Sequence, residues 1–192
     1  VANGDAAQTL LVTHISAATA TIVWSLAEKV KHGKASVLGA VTGSIAGLAA
    51  ITPASGDVGP IGGLVIGATA GFICWIASTT VKSKFGYDDS LDVVGVHGVG
   101  GIVGTLMVAF FASTTLGGKG IISTPDAETY SIAAQFLVQL QASAIVIVYT
   151  LIVSVIILYL VKAICGGSLR ASESEEEEGL DLTAHGESAY NN

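Results

Sequence analysis

The most informative absence in this 192-residue sequence is charge. Only 12% of its residues are charged while 51% are hydrophobic, and the mean hydropathy of +0.70 is not that of an ordinary soluble domain. Residues 1–170 hold eight basic and eight acidic side chains, so this part of the chain is neutral. A neutral body without a basic patch argues against nucleic-acid binding.

Cysteine is also scarce. Cys74 and Cys165 both lie in or beside apolar runs, where cysteine commonly acts as a small packing residue. We therefore expect no disulfide bond, no metal site and no cofactor. The chain starts at Val1 without an initiator methionine, a basic segment or a signal-type cleavage site, and we expect it to be a piece of a longer protein.

Long apolar runs, by contrast, are abundant. Five segments come near the ~20 apolar residues that cross ~30 Å of hydrocarbon, and in lipid they must be helical because unpaired backbone groups are costly there. The predicted spans are residues 8–29, 36–53, 60–81, 91–114 and 131–164. We therefore predict an all-α fold, a polytopic membrane helix bundle. A soluble protein is disfavoured because almost no amphipathic surface helix remains.

The basic residues predict the orientation of this bundle. If five spans alternate across the membrane, seven of the eight Lys and Arg residues fall on one side, and Lys119 is the exception. By the positive-inside rule, that side is cytoplasmic, so the N-terminus lies outside. The membrane region then covers residues 1–170, and residues 171–192 form a cytoplasmic tail that carries seven acids and no Lys or Arg.

Many of the 24 glycines of the sequence are regularly spaced in or beside the predicted spans. Small residues on one helical face let membrane helices approach closely, and we interpret most of these glycines as packing residues. The spacing is four residues in the second and third spans and three in the fourth: Gly39, Gly43 and Gly47; Gly59, Gly63, Gly67 and Gly71; Gly95, Gly98, Gly101 and Gly104.

Three ionisable residues fall deep in the predicted spans, where such groups are costly and are functional candidates. Asp92 stands at the start of the fourth span. We expect its carboxylate to cap the helix by accepting orphan backbone N–H groups, with a pore-proximal role as the alternative. His14 lies near the outer end of the first span, and we interpret it as structural or interfacial.

His97, the third of these residues, lies in the sequence VGVHGVGG with no polar side chain beside it. A lone histidine often merely packs. A neutral imidazole, with one nitrogen donating and the other accepting, nevertheless suits a small uncharged polar permeant better than a bare cation. Joint ligation of one haem with His14 is excluded, because on the order of 12 Å of membrane depth separates the two histidines.

Together these features resemble the ammonium transporter (Amt/Mep/Rh) family, in its bacterial type. The likeness covers nearly all 192 residues. It implies that the chain corresponds to about helices seven to eleven of an eleven-helix subunit, with the cytoplasmic segment after them. The likeness is carried, in the family's order, by Gly39–Gly47, Thr52–Gly56, Gly59–Gly71, Asp92–Gly98 and Gly179–Tyr190.

The resemblance implies a homotrimer in the inner (plasma) membrane, with one pore for ammonia or ammonium in each subunit. Two facing histidines line the family's pore, and His97 matches the second. Ile45 and Val93 fall where the family has apolar pore-lining side chains. The first histidine, the outer cation site and the phenylalanine gate belong to earlier helices. We therefore expect a complete pore only with the missing N-terminal half.

The resemblance also implies that the tail is regulatory and docks a PII-type signal protein. The matching residues are Gly179, Asp181, His185, Gly186, Glu187 and Tyr190. The acidic run Glu175–Glu178 is most simply a solvated spacer. The overall prediction is a transporter and not an enzyme. Two alternatives stay open: an ammonium sensor, and an unrelated multi-span carrier in which His97 only packs.

Overall fold

The computed structural model describes residues 2–120 and 131–188, and the regular structure within them is helical throughout. This confirms the predicted all-α class. Five of the helices are apolar: α1 (Gly4–His32), α2 (Val37–Ile51), α3 (Pro60–Phe85), α4 (Val93–Phe111) and α5 (Ile132–Ile164). Short helical turns follow at Thr114–Leu116, at Glu173–Glu178 (α6) and at Asp181–His185.

Local sequence signals set where these helices begin and end. Asn3 caps α1 by accepting the backbone N–H of Ala6 at 3.0 Å, and Gly33, with φ 78°, ends it in the left-handed conformation. Pro60 is the first residue of α3, where its missing N–H costs nothing. Gly86 ends α3 with φ 63°, so this helix is one turn longer than predicted.

Four of the five apolar helices, α1, α3, α4 and α5, are long and apolar enough to cross a membrane by length and composition. The fifth, α2, has only 15 residues, or about 22 Å of helix. Thr52 still has helical angles (φ −52°, ψ −49°), but the helix ends at Ile51 because the next residue, Pro53, has no backbone N–H to continue the hydrogen-bond ladder. The number of membrane crossings and the orientation of the termini therefore stay predictions.

Two helices contain π-helical turns, which are rare in proteins and often lie at functional sites. The first is Ala77–Val81 within α3, here called the Ser78 turn. The second is Val93–Gly98 at the start of α4, here called the His97 turn. The two turns are in contact, and the His97 turn also contacts α2 and α3.

The chain divides into two compact units, Val1–Ala144 and Ile145–Asn192. In the first unit, α1 packs against α2 and α3, and α4 packs against α2 and α3 in turn. The core is made mainly of small and aliphatic residues, together with Trp24 and Trp75. Its largest fully buried members are Ile51, Ile66, Val12, Val58 and Cys74. Outside the core, Phe110 meets Phe136 edge-to-face with ring centroids 5.8 Å apart.

Glycine allows the closest helix contacts in the first unit. A Cβ added at Gly47 would lie 2.5 Å from the carbonyl oxygen of Ser16, and one added at Gly71 would lie 2.7 Å from that of Ala20. The Ser16 hydroxyl donates to the carbonyl of Gly47 at 2.9 Å. The packing interpretation is thus confirmed for these glycines. Gly98 and Gly101 differ, because a Cβ there would meet nothing within 4 Å.

The second unit contains the C-terminal part of α5 and the tail. Its apolar side chains between Ile145 and Ile164 are largely exposed, a surface that suits lipid. The predicted division into a membrane region, residues 1–170, and a tail, residues 171–192, stays a prediction.

Candidate functional site

His97 lies on the exposed face of the His97 turn. Val93, Val94 and Gly98 share its exposure, whereas Gly95 and Val96 are buried. The described residues provide no hydrogen-bond partner for its imidazole. The turn therefore has a packed back and an open, mainly apolar front on which His97 is the polar group.

Asp89 holds the start of the His97 turn. Its carboxylate accepts the backbone N–H groups of Val93 at 2.8 Å, Val94 at 3.0 Å and Gly95 at 3.4 Å. These N–H groups have no partner within the helix, and a carboxylate at a helix N-terminus is favoured by the helix dipole as well. Asp89 is only 9% exposed, so its carboxylate is committed to this role.

The prediction that the Asp92 carboxylate caps this helix is wrong. Asp92 occupies the cap position, and its carbonyl accepts the N–H of Val96 at 2.8 Å, but its side chain makes no capping bond. The carboxylate pairs instead with the Lys82 ammonium at 2.8 Å. The physical reason is the backbone of Asp92: φ is 54°, in the left-handed region, and a capping side chain needs an extended backbone.

Lys82 connects this turn to α3. Besides the pair with Asp92, its ammonium donates to the carbonyl of Asp89 at 2.6 Å. Lys82 thus contacts both Asp89 and Asp92, the two acidic residues at the start of α4. A left-handed aspartate is tolerated more readily than most other residues, but it still needs support from its surroundings.

The packed back of the His97 turn rests on the Ser78 turn. Gly95 lies directly against Ser78, so closely that any Cβ at Gly95 would collide with the serine hydroxyl. Cys74 lies next to the carbonyl of Val96, with its Sγ 3.8 Å from the oxygen. Gly95 therefore lets two helices approach immediately behind His97.

Sequence reasoning missed Asp89, Lys82 and Ser78. The segment DDSLD offers three carboxylates before a glycine-rich helix, and the spacing does not tell which one caps. A lysine at the end of an apolar run points to no specific partner, because the positive-inside rule already accounts for basic residues there. Its partners, seven and ten residues later, carry no signal in the sequence.

The two predicted pore-lining residues both lie on exposed surface: Val93 is 52% exposed and Ile45 is 38% exposed. Val93 shares the open front of the His97 turn. Ile45 lies on α2, which contacts that turn. Their role as pore-lining residues stays a prediction.

The predicted regulatory residues of the tail lie in a short folded segment. Gly179, with φ 104°, ends α6; Asp181 and His185 belong to the following turn, and Gly186 has φ 66°. The N–H of Glu187 donates to the carbonyl of Asp181 at 2.8 Å. Tyr190 lies outside the described residues.

The acidic run of the tail is exposed but helical. Ser172 and Glu175 form a reciprocal capping box at the start of α6. The backbone N–H and hydroxyl of Ser172 donate to the Glu175 carboxylate and lower the pKa of Glu175 below its ordinary value. A spacer is therefore an incomplete description of residues 173–178, because their helix has a specific start.

Residues 2–120 and 131–188 contain no group of three or more His, Cys, Asp or Glu side chains that could hold a metal ion. His14 is exposed on α1. Chemically, the site offers one imidazole on an apolar surface. The turn that carries it is held by the Asp89 cap and by the Lys82–Asp92 ion pair. Four helices long and apolar enough to cross a membrane indicate a multi-pass membrane protein, and His97 is its candidate site residue in the part described.

Comparison with known proteins gives the family. The model of the Ammonium Transporter Family matches residues 1–190, and the chain belongs to that family. The ammonium transporter of Aquifex aeolicus is 43% identical over 190 residues, which is 99% of this chain and 43% of the relative. The resemblance stated from the sequence is thereby confirmed.

Solved structures show the same relationship. A structure called "Sensor Amt Protein" has a TM-score of 0.81 and 26% identity, over 95% of this chain and 42% of that one. Mep2 of Saccharomyces cerevisiae has a TM-score of 0.74 and 30% identity, over 88% of this chain and 38% of that one. The chain spans less than half the length of each of these relatives.

Proposed function

We propose that this chain is the C-terminal part of an ammonium channel in which His97 faces the permeation path. The observation that carries the proposal is the exposed imidazole on an apolar, firmly supported turn. Membership of a transporter family supports it. A histidine that merely packed would be expected on the buried side of the turn, with Gly95 and Val96.

The chemistry of the permeant fits an apolar passage with one imidazole. A bare ammonium ion in low dielectric costs tens of kcal/mol by Born estimates. Losing its proton costs roughly 3 kcal/mol, since its pKa lies about two units above neutral and each unit is worth 1.36 kcal/mol. An apolar passage therefore favours ammonia, and His97 hydrogen-bonds to it or relays the proton.

In the complete protein, other helices are expected to pack against the open front of the His97 turn. Val93 and Val94 are more than half exposed there, and large apolar patches in membrane proteins mark contacts with lipid or other helices. Helices of an N-terminal half would close this front into a pore, and the greater length of the relatives, of which this chain covers 43% in one case, leaves room for them. We place the complete protein, as a homotrimer, in the inner (plasma) membrane. The N-terminus of the present chain then lies on the outer side.

The tail contributes regulation in this proposal. Residues Gly179–Tyr190 resemble the segment with which the family's bacterial members dock a PII-type signal protein. The folded turn at Asp181–His185 and the capped α6 before it support this role, because a defined backbone presents its side chains in a fixed arrangement.

Replacing His97 by alanine in the full-length protein tests the proposed function. Methylammonium uptake into cells or liposomes should fall about tenfold or lose its selectivity, because a hydrogen bond near the barrier is worth on the order of 1.4 kcal/mol. The matched control is His14→Ala, which removes another exposed histidine from an apolar helix and should leave uptake unchanged. Wild-type rate and selectivity for His97→Ala would refute the assignment.

An ammonium sensor is the second candidate function. It is favoured by one observation, the extensive structural likeness to the protein called "Sensor Amt Protein". A flux assay in liposomes separates the two functions, since a sensor binds ammonium without ammonium-dependent flux.

A further inference from the structure

The side chain of Lys82 reaches the segment that immediately precedes the His97 turn. Its ammonium contacts two groups on the segment before that turn, the Asp89 carbonyl at 2.6 Å and the Asp92 carboxylate at 2.8 Å. Both side chains of the ion pair are 28% exposed, so the pair is partly shielded from water. The lysine itself belongs to α3, whose Ser78 turn already lies against Gly95.

The His97 turn has a backbone conformation that requires support from its surroundings. A π-helical turn contains one residue more than the α-helical path, and it is uncommon because its hydrogen-bond geometry is poorer. Asp92, immediately before it, has φ 54°. A return of this segment to regular α-helix would shift the register by one residue and rotate its side chains by about 100° relative to the rest of α4.

Such a rotation would move His97 off the open front. In the present register, Gly95 faces Ser78 and His97 is exposed on the other side. Asp89 fixes the first three N–H groups of the turn, and Lys82 fixes the backbone of Asp89 and the side chain of Asp92. The direction of the imidazole thus depends on a chain of contacts that starts at Lys82.

We infer that Lys82 is a positioning residue for transport: its ammonium maintains the π-helical register that directs His97 into the permeation path. This inference rests on the proposed function of His97 and adds a residue fifteen positions away in the sequence. Lys82 does not contact the permeant. It acts through Asp89, Asp92 and the His97 turn.

The test is Lys82→Met in the full-length protein, with Lys84→Met as the matched control. Lys84 carries the same charge on the same helix, is exposed and makes no side-chain hydrogen bond within the described residues. Lys82→Met should lower the maximal rate of methylammonium uptake on the order of tenfold, since small displacements of a positioned group have large effects on rate. Lys84→Met should behave as wild type.

Two further readouts separate positioning from simple destabilisation. The amount of folded protein in the membrane should be unchanged, and Lys82→Arg should recover most of the rate because a guanidinium also serves two acceptors. In protein labelled with 15N-histidine, the imidazole resonances of His97, assigned with His97→Ala, should shift in Lys82→Met and not in Lys84→Met.

The inference is overturned if Lys82→Met and Lys84→Met agree in rate and in the His97 resonances. It is also overturned if the rate falls only in proportion to folded protein, or if Lys82→Arg recovers nothing. Failure of the proposed function looks different: His97→Ala would then transport normally, while the resonances would still show whether Lys82 positions the imidazole.

Discussion

At the scale of single residues, the arrangement around His97 depends on two aspartates with different tasks. Asp89 caps three backbone N–H groups, and Asp92 pairs with Lys82. The two residues are only three positions apart and chemically identical. The left-handed backbone of Asp92 and the near-complete burial of Asp89 decide between them.

Asp89→Ala should therefore destabilise the protein by about 2 kcal/mol, because it removes a cap and leaves three N–H groups, one buried and two partly buried, without an acceptor. Unfolding by denaturant titration in detergent measures this loss. The matched control is Asp88→Ala, at an exposed position whose carboxylate is 3.4 Å from the Ser90 hydroxyl, and it should cost less than about 0.5 kcal/mol. Equal effects of the two variants would contradict the assignment of Asp89 as the cap.

At the scale of helices, the bundle is organised mainly by close approach of helix backbones at glycines. The backbone of α1 at Ser16 faces Gly47 of α2 and Gly67 of α3, so glycines border it on two sides. Membrane helices gain little from hydrophobic burial against each other, and tight van der Waals packing replaces it. The glycine spacing read from the sequence corresponds to this physical need.

Gly71→Val tests the close approach of α1 and α3. An added Cβ would lie 2.7 Å from the Ala20 carbonyl oxygen and 2.9 Å from its Cα, and both belong to backbone that cannot yield easily. We expect a loss of about 1–3 kcal/mol in thermal or denaturant unfolding. Gly4→Ala is the control, because a Cβ there meets nothing within 4 Å; unchanged stability of Gly71→Val would argue against this packing.

At the scale of the whole molecule, the predicted orientation depends on the short helix α2. Seven of eight basic residues fall on one side only if all five apolar helices cross the membrane, including the short α2. If α2 did not cross, the residues after it would exchange sides. Cys165, exposed after α5, is a natural reporter of the side on which the tail lies.

A membrane-impermeant maleimide should fail to label Cys165 in right-side-out vesicles and should label it after permeabilisation. Cys74 is buried and should stay unlabelled. The opposite result is expected for Thr52→Cys in a Cys165→Ser background, since the exposed Thr52 lies in the predicted outer turn. Labelling of Cys165 in sealed vesicles would reverse the predicted orientation.

The sequence by itself determined the helical class, the approximate places of the apolar helices, the family and several of the glycine contacts, although Gly98 and Gly101 make none. These follow from local properties: the length of apolar runs, the cost of unpaired backbone in lipid, and motifs in a fixed order. His97 was identified in the same way, as an ionisable residue where such residues are costly.

Only the tertiary structure decided how His97 is held. The choice of Asp89 over Asp92 as the cap depends on a backbone angle, and the Lys82 contacts join segments that a loop separates. In our proposal, the π-helical register of the His97 turn depends on the Asp89 cap and on the Lys82 contacts. Such features arise from the balance of several neighbours in space, and the order of residues alone does not contain the distances between them.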